Sequence, residues 1–88
     1  MMLEVELSAA AVADLADFSP AEVDEILAFL LTLEDEPKPA GVQAIPLPEA
    51  AEGIAYLYET DQWSIFYDIF ELAQVVKVVA IFKKISLN

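Results

Sequence analysis

The first apolar positions of the chain follow a strand pattern and then a helix pattern. Leu3, Val5 and Leu7 alternate with two glutamates, a period of two that predicts a half-buried strand. Ser8 then occupies an N-cap position, and the apolar residues after it recur at intervals of four and three. This spacing predicts a short helix over residues 9–17.

A capping sequence predicts where the second helix begins. Ser19 suits the N-cap, Pro20 suits the first helical position, and Glu22 completes a capping box with Ser19. The helix is expected to end near Leu33 or Glu34, because prolines follow. Its apolar positions recur with helical spacing at Val23, Ile26, Leu27, Leu30 and Leu31.

The second half of the chain predicts a sheet. Residues 34–52 contain four of the five prolines and are expected to form an ordered, extended crossing with little regular structure. Aromatic and β-branched residues then predict three antiparallel strands at 54–59, 63–70 and 74–82. The central strand is apolar on both faces, whereas two helices can cover only one face. The remaining face is a first indication of a protein partner or a dimer.

Together these elements predict an α+β fold with the order β-α-α-β-β-β in one domain over residues 1–88. We expect a twisted antiparallel sheet of about four strands, in which the strand of Val5 pairs with an edge of the three-stranded meander. The two N-terminal helices are expected to pack on one face of this sheet.

Composition excludes several classes of function. The chain has no cysteine and no histidine, which removes disulfides, Cys-based zinc sites and the commonest general base. Neither a metal nor a cofactor is predicted. No apolar run approaches the roughly 18 residues of a membrane span, and the start lacks a signal-peptide pattern. We therefore expect a soluble, cytoplasmic protein.

Charge and hydrophobicity both favour a protein partner. The net charge is −12, and three of the four lysines follow the last acid. An acidic body repels phosphate, which argues against nucleic-acid binding and favours a basic partner. The alternative is that acidity only keeps a small apolar domain soluble. The hydrophobic fraction of 58% exceeds the usual value of about 45–50% and suggests a surface buried in a homodimer or against a partner.

Four segments resemble the RelE/ParE toxin family of bacterial toxin–antitoxin systems, in the same order and over nearly the whole chain. SAAAVADLADF resembles the family's opening helix, LTLEDEPKPAGVQAI its crossing, DQWSIFYDIF its central strand and VVKVVAIFKK its last strand. The resemblance implies the fold described above and an antitoxin partner. In the ribosome-dependent members it also implies RNA cleavage by Arg, Lys, His and Tyr side chains.

The resemblance also supplies candidate catalytic residues, which are Lys83, Lys84 and Tyr67. The family's strand arginine corresponds to Ser64, and no arginine or histidine occurs anywhere in the chain. Phosphoryl chemistry needs cations or acid–base groups at the developing charge. RNA cleavage is therefore expected to be weak or lost, and whether the chain is an enzyme stays open. The alternative is that the two lysines are only solvated side chains at the end of a strand.

Aromatic and acidic side chains suggest two further kinds of site. The aromatic residues predicted to contact a protein partner are Trp63, Phe66, Tyr58 and Phe29. A base-stacking platform of Trp63, Phe66, Tyr56 and Tyr58 is disfavoured because its neighbours are acids, and burial in the core is the other alternative. Three acids could bind a divalent cation, but a solvated rim is the favoured interpretation of these residues: Glu59, Asp61 and Asp68.

The resulting hypothesis is a toxin-type protein that acts mainly by binding protein. Its antitoxin-like partner would carry a basic amphipathic segment. The alternative is a non-toxic, homodimeric interaction module that retains only the fold.

Overall fold

The computed structural model describes residues 2–84, which form two helices and five strands. In chain order the elements are β1 (Glu4–Leu7), α1 (Ala9–Leu15), α2 (Pro20–Thr32), β2 (Gln43–Pro46), β3 (Ile54–Glu59), β4 (Trp63–Phe70) and β5 (Val75–Lys83). The predicted helices and the three strands of the meander are all present, with ends that shift by at most two residues. The α+β class is therefore confirmed.

The strands form one sheet in the spatial order β1-β5-β4-β3-β2. The meander β3-β4-β5 is antiparallel, as predicted, whereas β1 pairs with β5 in parallel, so the sheet is mixed. A parallel pair requires a crossover connection, and the chain between β1 and β5 provides it. The expectation of a wholly antiparallel sheet was wrong at this one pair.

The sheet also has one more strand than expected. β2 forms within the proline-rich crossing and pairs antiparallel with β3, with Ile45 opposite Ala55. Pro46 lies at the end of β2, and β2 is an edge strand, where a proline removes no hydrogen bond that the sheet needs. Its proline and its length of four residues concealed this strand in the sequence.

Local capping places both helices as predicted. The Ser19 hydroxyl accepts a hydrogen bond from the Glu22 amide at 3.2 Å, and the Glu22 carboxylate accepts one from the Ser19 amide at 2.9 Å. The hydrogen bonds from Ser19 hold the pKa of Glu22 below its ordinary value. At α1, the Ser8 hydroxyl accepts from the Ala11 amide at 3.0 Å. These caps fix the residues at which both helices begin.

Both helices cover the same face of the sheet, which is called the helix face below. The side chains that are almost fully buried there are Ile26, Leu33, Trp63, Ile65, Tyr67, Val76 and Val78. Alternate residues of β4 project from the opposite face, called the open face below, at Ser64, Phe66, Asp68 and Phe70. This division of the sheet decides where each candidate site residue lies.

α1 closes the part of the β5 edge that β1 is too short to cover. A register shift opposite Phe66 and Tyr67 leaves Val79 as an extra residue in β5. The Ser8 hydroxyl donates to the Val79 carbonyl at 2.8 Å, and the Ile81 amide donates to the Asp14 carboxylate at 3.0 Å. β1, Ser8 and Asp14 therefore bond to the β5 edge between Val75 and Ile81, and β1 is the exposed strand on this side of the sheet.

Candidate functional site

The two candidate catalytic lysines lie on opposite faces of the sheet. The Lys83 ammonium donates to the Asp17 carbonyl at 3.1 Å and lies 3.8 Å from the Glu22 carboxylate. The Lys84 ammonium lies 3.0 Å from the Glu59 carboxylate, at the other side of β5. The carboxylates that pair with them lie on opposite faces of the sheet, because Glu22 belongs to α2 and Glu59 follows the helix-face residue Tyr58 in β3, so the two ammonium groups do not approach one substrate together. Each is paired with an acid of this chain.

The third candidate, Tyr67, is buried under the helices. Its hydroxyl donates to the Pro37 carbonyl at 2.7 Å, and its ring stacks on Tyr56 with 5.7 Å between centroids. Burial raises the pKa of Tyr67, and the neighbouring Tyr56 raises it further. A phenol whose proton is held this firmly is a poor acid at neutral pH.

These three residues do not form a single site in the structure. Lys83 lies opposite Trp63 in the register, four residues along β4 from Tyr67. Four residues of strand correspond to roughly 13 Å. A catalytic role for these residues remains a prediction. It would require either that the sheet rearranges or that only one of the three residues acts on the substrate.

Three of the four aromatic residues predicted to bind a partner form one cluster on the helix face. Phe29 stacks on Tyr58 with 4.2 Å between ring centroids, and Trp63 lies 5.8 Å from Phe29. The Trp63 indole N–H donates to the Glu25 carboxylate at 3.0 Å, and only 2% of the residue is exposed. In this structure Trp63 joins α2 to the sheet. Its contact with a partner stays a prediction and would need α2 to move.

The fourth aromatic residue, Phe66, lies on the open face. It sits between Leu57 of β3 and Ala80 of β5 in the register. Ser64, one pair further along, faces Phe82, which is 53% exposed. The position that the resemblance assigns to a strand arginine therefore adjoins a row of apolar residues, called the apolar strip below: Leu57, Phe66, Ala80 and Phe82.

The three acids considered for a cation do not converge. Asp68 is buried, and its two carboxylate oxygens accept from the Ala51 amide at 2.9 Å and from the Ile69 amide at 2.8 Å. It therefore holds the loop before β3 against the sheet. Glu59 pairs with Lys84, and Asp61 lies in the following turn. Within residues 2–84 no group of three or more acids is placed to bind a metal ion.

An apolar groove between β1 and α2 was missed in the sequence. It has a volume of about 290 Å³ and is lined by Val5, Leu7, Leu27, Leu30, Leu31 and Glu34. Leu31 is 63% exposed and Leu27 is 41% exposed, although both belong to the apolar stripe of α2. Their spacing of four residues was the available signal, but only the packed structure shows that they lie beyond the edge of the core.

Comparison with known proteins gives a consistent result for the fold. No protein-family model and no curated sequence matches the chain. Among solved structures, the RelE–RelB complex of the archaeon Pyrococcus horikoshii OT3 is similar with a TM-score of 0.80 and 20% identity, over 94% of this chain and 96% of that chain. The RelBE2 toxin–antitoxin complex of Mycobacterium tuberculosis has a TM-score of 0.77 and 16% identity, over 96% and 100% of the two chains. The isolated RelE toxin of E. coli has a TM-score of 0.77 and 11% identity, over 98% and 88%.

The chain is thus an α+β protein with a mixed sheet covered on one face by two helices. More narrowly, it has the fold of the RelE toxins, which confirms the fold that the sequence resemblance implied. At these identities the likeness concerns the fold alone. Within residues 2–84, neither helix has the length and apolar composition required to cross a membrane.

Proposed function

We propose that this chain is the toxin-type component of a toxin–antitoxin pair and that it acts mainly by binding protein. Two of the similar structures are complexes in which a RelE chain is bound to RelB. Two apolar surfaces support a binding role, the apolar strip on the open face and the groove beside α2. The acidity of the chain favours a partner with basic residues.

One observation carries the second half of this proposal, that RNA cleavage is weak or lost. Lys83 and Lys84 point to opposite faces and are each paired with carboxylates, while the Tyr67 hydroxyl is bonded inside the core. Cleavage of a phosphodiester needs cations or acid–base groups that converge on the charge developing in the transition state. A net charge of −12 further opposes approach to RNA.

Expression of the chain alone and with a neighbour tests the toxin assignment. We expect growth arrest on induction and relief when the product of an adjacent reading frame is expressed with it. Relief should coincide with co-purification of a short, basic, partly helical partner. Harmless expression of a stable homodimer would instead support the alternative, an interaction module that retains only the fold.

A lysine variant tests the expectation about RNA. Ribosome-bound messenger RNA should stay intact when the chain is induced, and Lys83→Ala/Lys84→Ala should arrest growth as strongly as the unaltered chain. Lys77→Ala is the matched control, because Lys77 is exposed on β5 and forms no ion pair within residues 2–84. Messenger cleavage that only the double variant abolishes would show that these lysines are catalytic after all.

A further inference from the structure

The β1 edge carries backbone groups that the sheet does not use. The Glu4 amide donates to the Gln74 carbonyl and the Ser8 amide donates to the Val78 carbonyl, both at 2.9 Å. In a parallel pair, every second residue bonds to the neighbouring strand. Glu4 and Glu6 therefore direct their N–H and C=O groups towards β5, and Leu3, Val5 and Leu7 direct theirs outward. The Leu3 amide already donates to the Glu34 carbonyl at 2.8 Å, so an added strand would pair with Val5 and Leu7. An outward row of this kind is a template for an added strand.

The apolar groove lies directly beside this edge. The side chains of Val5 and Leu7 line it from β1, and the exposed Leu27 and Leu31 line it from α2. A strand added beside β1 would direct alternate side chains into the groove, where they would cover the two exposed leucines. The same residues thus offer both backbone hydrogen bonds and an apolar contact, as in recognition by strand addition.

Charge decides what kind of chain fits. The side chains of Glu4 and Glu6 project from the opposite face of β1 and are exposed, and Glu34 lies at the groove. A second copy of this chain is a poor occupant, because antiparallel pairing of two β1 strands would set glutamates against glutamates. Two chains of charge −12 would also repel each other. The occupant must be basic where it faces these acids.

We propose that the β1 edge and the α2 groove together bind an extended segment of a partner protein, with apolar and basic residues in alternation. The apolar residues enter the groove, the basic residues lie beside Glu4 and Glu6, and the backbone pairs with Val5 and Leu7. This inference rests on the proposed function, which supplies the identity of the partner. The inference adds which part of the partner binds and how.

The first experiment uses the whole chain and three synthetic peptides observed by NMR. The probe is a capped peptide of sequence Lys-Val-Lys-Val-Lys-Val-Lys. The control of identical composition, Val-Val-Lys-Lys-Lys-Lys-Val, lacks the alternation, and the third peptide replaces each lysine of the probe by glutamate. We expect the alternating basic peptide to bind with a Kd of about 1 mM or tighter and the other two at least about tenfold more weakly.

Amide hydrogen exchange identifies the binding mode. The amides of Val5 and Leu7 should exchange rapidly in the free chain and become protected when the alternating peptide is bound. The amide of Glu4, already bonded to the Gln74 carbonyl, should keep its protection unchanged. Equal binding of the two basic peptides, or protection confined to β4 and the apolar strip, would overturn the proposal.

Two pairs of variants test the side-chain contacts. Leu31→Ser should weaken the peptide at least about tenfold, equal to ~1.4 kcal/mol, whereas Val12→Ser should not. Val12 is a fair control because it is 57% exposed on the other helix. Glu4→Gln/Glu6→Gln should weaken binding and reduce its salt dependence, in contrast to Glu49→Gln/Glu52→Gln in an exposed turn. Unchanged affinity in both test variants would refute the site.

This inference and the proposed function can fail separately. If a partner relieves growth arrest equally well for Leu31→Ser and the unaltered chain, the toxin assignment stands and the groove is wrong. If the peptide binds as described but expression is harmless and no neighbour matters, the groove stands and the toxin assignment is wrong. A dimer joined through β1 in the absence of peptide would overturn the choice of occupant.

Discussion

Replacing Tyr67 by phenylalanine separates a structural role for its hydroxyl from a catalytic one. The change keeps the buried ring and removes the hydrogen bond of 2.7 Å to the Pro37 carbonyl. That bond ties the crossing between α2 and β2 to the centre of β4. Because the carbonyl then loses a partner inside the protein, the variant should be less stable than the unaltered chain.

The expected loss follows from the bond and its burial. One hydrogen bond contributes about 0.5–1.5 kcal/mol net, and a buried group left without a partner costs about 1–3 kcal/mol. We therefore expect the free energy of unfolding to fall by about 1–2 kcal/mol. For a domain of 60–100 residues each kcal/mol corresponds to a decrease in Tm of about 4–8 °C.

The pH dependence of stability provides a second, independent test of the role of the Tyr67 hydroxyl. The folded pKa of Tyr67 lies above the unfolded value of about 10, so the folded state holds this proton more tightly. The corresponding stability is complete below about pH 10 and is lost as the pH rises further, with a slope of at most ~1.4 kcal/mol per pH unit. Tyr67→Phe should remove this component of alkaline unfolding.

Urea unfolding at neutral and alkaline pH measures both effects. Tyr58→Phe is the matched control, because the Tyr58 ring stacks on Phe29 while its hydroxyl makes no hydrogen bond within the described residues. The reasoning is refuted if Tyr67→Phe is as stable as the control at neutral pH and unfolds with the same alkaline slope. A loss of RNA cleavage at unchanged stability would instead assign Tyr67 to catalysis.

Three further substitutions and one change of salt concentration test other parts of the structure. Ser19→Ala should lower the free energy of unfolding by about 1 kcal/mol, and urea unfolding measures this loss of the α2 cap. Glu22→Gln should flatten acid unfolding, because the lowered pKa of Glu22 contributes stability that is present above its unfolded pKa and is lost as the pH falls through the folded one. Asp68→Ala should cost about 1.5–3 kcal/mol and release the loop at Ala51, which limited proteolysis between β2 and β3 would reveal. Added sodium chloride should raise the Tm, because salt screens repulsion in a chain of charge −12, and a Tm that does not respond to salt would contradict this.

The candidate site was harder to predict than the fold, for reasons that particular residues show. Lys83 is the last residue of β5, which was expected to end at residue 82, and Lys84 follows it and pairs with an acid on the other face. Trp63 and Phe66 were grouped as partner residues, yet an odd spacing of three in one strand places them on opposite faces. In both cases the residues are close in sequence but lie on opposite faces, so a shared site does not follow from their closeness in the sequence, and their roles in binding or catalysis stay predictions.

The sequence by itself determined the features that depend on neighbours along the chain. The caps at Ser8 and Ser19, both helices and the three strands of the meander follow from hydrogen bonds and periodicities within a few residues. The tertiary structure alone decided that β1 runs parallel to β5 and that Ile45 joins the sheet. It also decided that Leu27 and Leu31 remain exposed at the edge. These outcomes depend on which distant segments meet, because an edge strand or a groove exists only where packing against the rest of the protein stops.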